Sequence, residues 1–283
     1  MKEINVIGIV GAGQMGSGIA QVAAVSGYSV LLYDAFAGVA DKAAASICAS
    51  LDKLLGKGKL EQAQYDHAVT AITTVGSLED IAKADLIVEA ASEKVELKKE
   101  IFATLDRLAA PDTILASNTS SISLTELASV TGRADKVIGM HFFNPAPVMK
   151  LLEIIKGYST SQDTIDAAMA VGQRMNKVTV LALDKAGFIV NRALEPMLNE
   201  AIFMLEEGIG TAEDIDNAMK YGCNHPMGPL ALSDLIGLDV VLAVMEVLYR
   251  EYADSKYRPA PLLKKMVRAG KLGKKSGEGF YQY

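Results

Sequence analysis

The 283-residue chain has few cysteines, no long apolar run and no excess of basic residues. Cys48 and Cys223 form no C-x-x-C pair and no metal-ligand spacing, which argues against a disulfide framework and against a metal site. No apolar run reaches the ~18 residues of a membrane span. The 28 Lys and Arg against 34 Asp and Glu give a net charge of −6, which disfavours a nucleic-acid binder. We therefore expect a cytoplasmic globular protein that binds neither membrane nor nucleic acid.

The first half of the chain alternates short β-branched runs with helical patterns. The strand-like runs are residues 4–10, 28–33, 85–90, 113–116 and 136–140. This alternation is typical of βαβ units, so we expect a Rossmann-like α/β domain with a mostly parallel sheet. Between residues 38 and 69 apolar residues recur at helical spacing with no strand signal, which predicts a helical hairpin inserted after the second strand.

The second part of the chain is predicted to be almost entirely helical. Its expected helices are residues 189–207, 211–221, 230–252 and 261–269. We expect a boundary between an α/β domain of residues 1–184 and an all-α domain of residues 185–283. The helical domain is expected to contribute to substrate binding and dimerisation, with a ligand cleft between the two domains.

A glycine-rich turn follows the first predicted strand and opens the first helix. Gly11-Ala12-Gly13-Gln14-Met15-Gly16 has the G-x-G-x-x-G pattern that lets backbone approach a pyrophosphate at a helix N-terminus. Asp34 ends the second strand, 18 residues after Gly16. A carboxylate there accepts hydrogen bonds from a ribose 2′-OH and repels a 2′-phosphate, so NAD is favoured over NADP. The alternative is a structural turn without a ligand.

A histidine and a glutamate are the candidate acid/base pair. His141 follows the run 136–140, at the carboxyl end of a predicted strand, where such sheets bind ligands. A neutral imidazole there can exchange a hydroxyl proton while hydride moves to or from a nicotinamide. Glu153 lies in an apolar run and needs a partner if buried, and His141 is the expected one. A structural histidine and a solvent-facing Glu153 are the alternatives.

Two polar segments could face the same chemistry. Ser117-Asn118-Thr119-Ser120-Ser121 follows a predicted strand, and its side chains could hold a substrate oxygen and the nicotinamide ribose. Asn191, just past the predicted domain boundary, could donate to a developing alkoxide. For both segments the alternative is helix capping.

Six motifs are spread over the whole chain: Gly11-x-Gly13-x-x-Gly16, Ser117-Asn118-Thr119-Ser120-Ser121, His141-Phe142-Phe143-Asn144-Pro145, Gly187-Phe188-Ile189-Val190-Asn191-Arg192, His225-Pro226-Met227-Gly228-Pro229 and Gly277-Glu278-Gly279-Phe280-Tyr281. Together they resemble the L-3-hydroxyacyl-CoA dehydrogenase family, and within it the stand-alone bacterial enzymes of butyrate and butanol pathways.

The resemblance implies hydride transfer between C3 of a 3-hydroxyacyl-CoA and NAD, catalysed by a homodimer. It implies that His141 is the general acid/base, that Glu153 is its paired carboxylate, and that Ser120 and Asn191 hold the reacting oxygen. The implied cofactor-binding residues are Gly11, Gly13, Gln14, Met15, Gly16, Asp34, Glu93, Lys98, Asn118, Asn144 and Lys275. Ser50, Lys53 and Lys57 of the hairpin match positions near the coenzyme A phosphates, although exposed lysines at a helix end are also typical of a solvated face.

Two other functions stay open from the sequence. A dehydrogenase of a small sugar acid or hydroxy acid could share the architecture, but it would not need the basic hairpin. A non-catalytic nucleotide-binding protein could also keep the fold, since fold alone does not establish activity.

Overall fold

The computed structural model describes residues 3–283. The chain divides into two compact units, the first ending at Lys185 and the second spanning Ala186–Tyr283. Among the described helices, none is both long enough and apolar enough to cross a membrane.

The first unit is built on one eight-stranded sheet with the strand order β3-β2-β1-β4-β5-β6-β7-β8. All neighbouring strands of this sheet pair in parallel except β6 and β7, which are antiparallel. The predicted mostly parallel, Rossmann-like fold is thus confirmed. The strands are β1 Val6–Val10, β2 Ser29–Tyr33, β3 Ile72–Thr74, β4 Leu86–Glu89, β5 Ile114–Ser117, β6 Val137–Phe142, β7 Leu151–Lys156 and β8 Val178–Leu183.

In the described part of the first unit, seven α-helices accompany this sheet. The central strands β4, β5 and β6 are buried along their full length, which explains why they read as continuous apolar runs in the sequence. The predicted helical hairpin is formed by α2 and α3, and α2 buries one face against the core through Ala40, Ala43, Ile47 and Leu51. The helices are α1 Gln14–Val25, α2 Val39–Gly56, α3 Gln62–Ala71, α4 Leu78–Ile81, α5 Val95–Leu108, α6 Leu124–Ala128 and α7 Gln162–Arg174.

The strands of the first unit differ from the prediction in two respects, and helix α1 begins at Gln14, inside the glycine motif. Strand β6 runs on through His141 to Phe142, because its antiparallel partner β7 supplies hydrogen bonds beyond Met140. The edge strands β3 and β8 were not predicted.

The second unit consists of helices around its own apolar core. Leu198, Ile202, Leu230, Leu238 and Val241 are completely buried in that core. The predicted helix over residues 230–252 is two helices, because Gly237 adopts a positive φ of 103° that ends the first of them. The helices are α8 Val190–Glu206, α9 Ala212–Gly222, α10 Pro229–Ile236, α11 Leu238–Tyr252 and α12 Pro261–Arg268.

Candidate active site

The glycine turn between β1 and α1 is shaped by two close approaches and one opening. A Cβ on Gly11 would lie 2.7 Å from the Ala90 carbonyl oxygen, and one on Gly16 would lie 1.7 Å from the Gly11 carbonyl oxygen. A Cβ on Gly13, in contrast, would meet nothing within 4 Å. Glycine at position 13 therefore keeps the backbone surface open, which suits a ligand that must approach the backbone closely.

The N-terminus of α1 has the electrostatic properties of an anion-binding site. Gly13 is the N-cap residue, no side chain caps the helix, and its first turn has no acidic residue. The first backbone N–H groups of the helix and the positive end of its dipole favour a phosphate. The glycine turn and this helix end thus fit the pyrophosphate of a dinucleotide.

A cavity of about 600 Å³ extends from this turn across the carboxyl ends of β1 and β2. Its lining includes Gly13, Gln14, Met15, Asp34 and Phe36. The Asp34 carboxylate is held by the backbone: Oδ2 accepts from the Ala12 N–H at 2.8 Å, and Oδ1 accepts from the Phe36 N–H at 3.0 Å. A fixed negative charge in the cavity suits a ribose diol and opposes a 2′-phosphate.

His141 and Glu153 form a buried pair on adjacent antiparallel strands. They are direct partners in the β6–β7 register, and His141 Nδ1 lies 2.7 Å from Glu153 Oε2. His141 is 6% exposed and Glu153 is completely buried. The predicted contact is therefore present, and the alternative of a solvent-facing Glu153 is wrong. Its carboxylate fixes the orientation of the ring, with Nδ1 toward Glu153.

Glu93 organises the polar segment after β5. Glu93 Oε1 accepts hydrogen bonds from the Thr119 hydroxyl, the Ser120 N–H and both the N–H and hydroxyl of Ser121. Partial burial opposes ionisation, but the Lys98 ammonium and the Thr119 and Ser121 hydroxyls hold the pKa of Glu93 below its usual range. This segment does not have to cap α6, because the Ser123 side chain accepts from the Glu126 N–H in that role.

Asn118 links the same segment to the histidine strand. Its side-chain Oδ1 accepts from the Phe142 N–H at 2.9 Å, one residue beyond His141. Its own N–H donates to the Glu89 carbonyl at 2.8 Å. The carboxyl ends of β4, β5 and β6 are therefore tied together around the acid/base pair.

Lys98 lies inside the protein and not at a surface. It is 1% exposed, and its Nζ lies 2.7 Å from Glu89 Oε1, 2.8 Å from Glu89 Oε2 and 3.3 Å from Glu93 Oε2. Glu89 was not singled out from the sequence. The sequence does contain a sign of its role, because a glutamate ends an apolar strand there. Glu153, in its apolar run, shows a similar pattern.

The loop that follows β6 is anchored by a lysine that the sequence did not indicate. Lys177 donates to the carbonyl oxygens of Ala146 and Met149, at 2.6 and 2.7 Å. Burial lowers the pKa of Lys177. Asn144, the predicted cofactor contact of this loop, is exposed.

The predicted coenzyme A residues lie at the C-terminal end of α2. Ser50, Lys53 and Lys57 are spaced three and four residues apart, which places them on one side of the helix end. Lys53 and Lys57 are exposed. Lysines here also complement the negative end of the helix dipole, so their position alone does not assign a ligand.

Two of the predicted residues belong to the second unit. Asn191 lies in the first turn of α8, whose N-cap is Ile189, so it is not the capping residue. The backbone before it turns through positive φ at Gly187 and Phe188. Lys275 is exposed, with its Nζ 2.5 Å from Asp239 Oδ1. The roles of Asn191 and Lys275 stay predictions.

Comparison with known proteins gives matches over the whole chain. Residues 6–185 match the family described as 3-hydroxyacyl-CoA dehydrogenase, NAD binding domain, and residues 187–283 match its C-terminal domain. A probable 3-hydroxybutyryl-CoA dehydrogenase of Bacillus subtilis is 50% identical, over 99% of this chain and 98% of the relative. A 3-hydroxybutyryl-CoA dehydrogenase of Clostridioides difficile is 50% identical, over 98% and 99%.

A solved structure agrees with these matches. The crystal structure of (S)-3-hydroxybutyryl-CoA dehydrogenase from Ralstonia eutropha superposes with a TM-score of 0.96 and is 50% identical, with 99% of each chain covered. With a glycine turn suited to a dinucleotide in its first unit, the chain belongs to the 3-hydroxyacyl-CoA dehydrogenase family of NAD-dependent enzymes.

Proposed function

We propose that this protein interconverts (S)-3-hydroxybutyryl-CoA and acetoacetyl-CoA, with NAD as the hydride carrier and His141 as the general acid/base. The buried His141–Glu153 pair supports the chemistry, because it is built as a proton-exchanging group with a fixed counter-ion. The names of the relatives support the four-carbon substrate.

The proton step follows from the orientation of the imidazole. Glu153 holds Nδ1, so Nε2 is the nitrogen that we assign to the C3 oxygen of the substrate. In the reducing direction His141 donates a proton to that oxygen, and in the oxidising direction it removes one. The Glu153 charge stabilises the protonated ring in between. The Ser120 hydroxyl and the Asn191 amide are assigned to hold the same oxygen.

NAD, when bound, supplies or accepts the hydride at C3. The residues that would hold it form two groups, and all of them except Lys275 belong to the first unit. The glycine turn with Gln14 and Met15 would bind the pyrophosphate, and Asp34 would bind the adenosine ribose. Glu93, Asn118 and Asn144, together with Lys275 from the second unit, are assigned to the nicotinamide end. Ser50, Lys53 and Lys57 are assigned to the phosphates of coenzyme A.

The direct test monitors the oxidation of NADH through the loss of its absorbance, with acetoacetyl-CoA as substrate. The same assay is run in parallel with NADPH. We expect turnover with NADH and weaker turnover with NADPH. A preference for NADPH would contradict the role of Asp34 while keeping the enzyme. No turnover in a folded protein that still binds NADH would contradict the proposed function, and would favour the sugar-acid dehydrogenase or the non-catalytic nucleotide-binding protein.

We also infer a cytoplasmic homodimer that serves butyrate or fatty-acid metabolism. Support for the dimer comes from large apolar side chains exposed on the second unit, among them Leu235, Val240 and Tyr249. Light scattering coupled to size-exclusion chromatography tests this directly. A mass of one chain at micromolar concentration would contradict the dimer.

A further inference from the structure

A buried carboxylate that has no part in the proposed chemistry lies behind the predicted nicotinamide end of the site. Glu89, the last residue of β4, is completely buried, and both of its carboxylate oxygens have partners. Oε1 accepts from the Ala91 N–H at 2.6 Å and from Lys98 Nζ at 2.7 Å. Oε2 accepts from Lys98 Nζ at 2.8 Å and from the Ser117 hydroxyl at 2.7 Å.

These contacts join three elements at the edge of the sheet. Glu89 belongs to β4, Lys98 to α5 and Ser117 to β5. Ser117 Oγ in turn accepts from the Thr119 N–H at 3.2 Å. Glu89 is therefore linked to the Thr119–Ser121 segment in two ways. One link runs through Ser117, and the other runs through Lys98 and Glu93.

Lys98 divides its charge between two carboxylates. It makes the bidentate contact with the buried Glu89 and a longer one, 3.3 Å, with Glu93 Oε2. The other Glu93 oxygen, Oε1, is the acceptor for the Thr119–Ser121 donors. Because the two shorter contacts of Lys98 are with Glu89, Glu93 Oε1 can accept from the donors of the segment. A stronger pull from Lys98 would draw Glu93 away from those donors.

We propose that Glu89 is a positioning residue for cofactor binding, which fixes Lys98 and Ser117 and thereby keeps Glu93 and the Thr119–Ser121 segment in their binding geometry. In this arrangement the Lys98 side chain is 1% exposed, and its ammonium is engaged by Glu89, Glu93 and the Ala91 carbonyl. The proposal rests on the NAD-dependent function proposed above.

The test compares Glu89→Gln with a control variant on α5, the helix that carries Lys98. Glu89→Gln keeps the shape of the side chain but leaves the buried Lys98 with Glu93 as its remaining carboxylate partner. We expect the Kd for NADH, measured by fluorescence titration without acyl-CoA, to rise roughly tenfold or more, because removing one member of a buried charge pair shifts its neighbours. At saturating NADH, kcat for acetoacetyl-CoA should fall as well, because Ser120 of the displaced segment is assigned to the substrate oxygen.

Asp106→Asn is the control for a loss of stability alone. Asp106 also lies on α5 and forms an ion pair with Arg133 at 2.7 Å, but its contacts lie away from the Thr119–Ser121 segment. We expect Asp106→Asn to lower the melting temperature and to leave the Kd for NADH unchanged. An equal rise in both variants would overturn the positioning role.

The remaining outcomes are also decisive. If Glu89→Gln does not fold, Ser117→Ala removes the hydrogen bond from the Ser117 hydroxyl to Glu89, and we expect a smaller rise in the Kd for NADH. An unchanged Kd would contradict the proposal. Failure of the proposed function is distinguishable, because it would show in the wild-type protein as absent NADH binding or absent turnover.

Discussion

At the scale of single residues, His141 carries the strongest prediction. His141→Gln keeps a hydrogen-bonding group but cannot exchange a proton, so we expect kcat for acetoacetyl-CoA reduction to fall by roughly 10²–10⁴-fold. The Kd for NADH should stay the same. The matched control is His67→Gln, on the exposed side of α3, which should keep full turnover. Unchanged kcat in His141→Gln would remove the histidine from the mechanism.

Asp34 carries the prediction on cofactor choice. Asp34→Asn removes the charge that opposes a 2′-phosphate while keeping an acceptor oxygen for the Ala12 or Phe36 N–H. We expect the ratio of kcat/KM for NADPH to that for NADH to rise by about tenfold. Parallel assays with the two cofactors measure it. A ratio equal to that of the wild type would show that discrimination resides elsewhere.

The sequence was informative at residues where a buried charge implies a partner. Glu153 in an apolar run required a cation or a donor, and His141 was a candidate at the right distance along the chain. The same reasoning applies to Glu89, but its partner Lys98 lies on a helix whose face toward β4 cannot be read from spacing alone. Lys177 gave no signal at all, because its acceptors are backbone carbonyls brought to it by the fold.

At the scale of elements, helix α2 can be tested as a coenzyme A contact. Lys53→Gln/Lys57→Gln should raise the KM for acetoacetyl-CoA, and the effect should weaken at high salt because the lost interaction is with phosphates at an exposed site. Acetoacetyl-pantetheine lacks the adenosine phosphates, so its KM should not respond. Lys42→Gln, also exposed and at the other end of α2, is the control. Equal KM changes for both substrates would contradict the phosphate contact.

Elements were predictable where periodicity was long and were missed where it was short. Strand β3 has only three residues, too few to show alternation. Strand β8 reads Val-Thr-Val-Leu-Ala-Leu and begins with three β-branched residues, a composition that is typical of a strand. The break between α10 and α11 depends on one backbone conformation at Gly237, which a continuous apolar pattern conceals.

At the scale of the whole molecule, stability should depend on the titration of one buried carboxyl group. Glu195 lies on the buried side of α8, is 3% exposed, and its Oε2 has no hydrogen-bond partner among the described residues. Burial raises the pKa of Glu195 to about 8. The carboxyl group is therefore protonated in the folded protein over a range of pH in which it is ionised in the unfolded chain.

The sign of this effect gives the last prediction. Below the unfolded pKa of 4.5 both states are protonated and Glu195 adds no pH dependence, whereas between 4.5 and about 8 the folded state binds more protons. As the pH rises through this window, the free energy of unfolding should therefore fall, by up to about 1.4 kcal/mol per pH unit from this group. Glu195→Gln should remove that slope in urea unfolding measured from pH 5 to pH 8, in roughly unit steps. Glu200→Gln, on the exposed side of the same helix, should keep the wild-type slope. Identical slopes in the two variants would show that Glu195 is ionised, and compensated, in the folded protein.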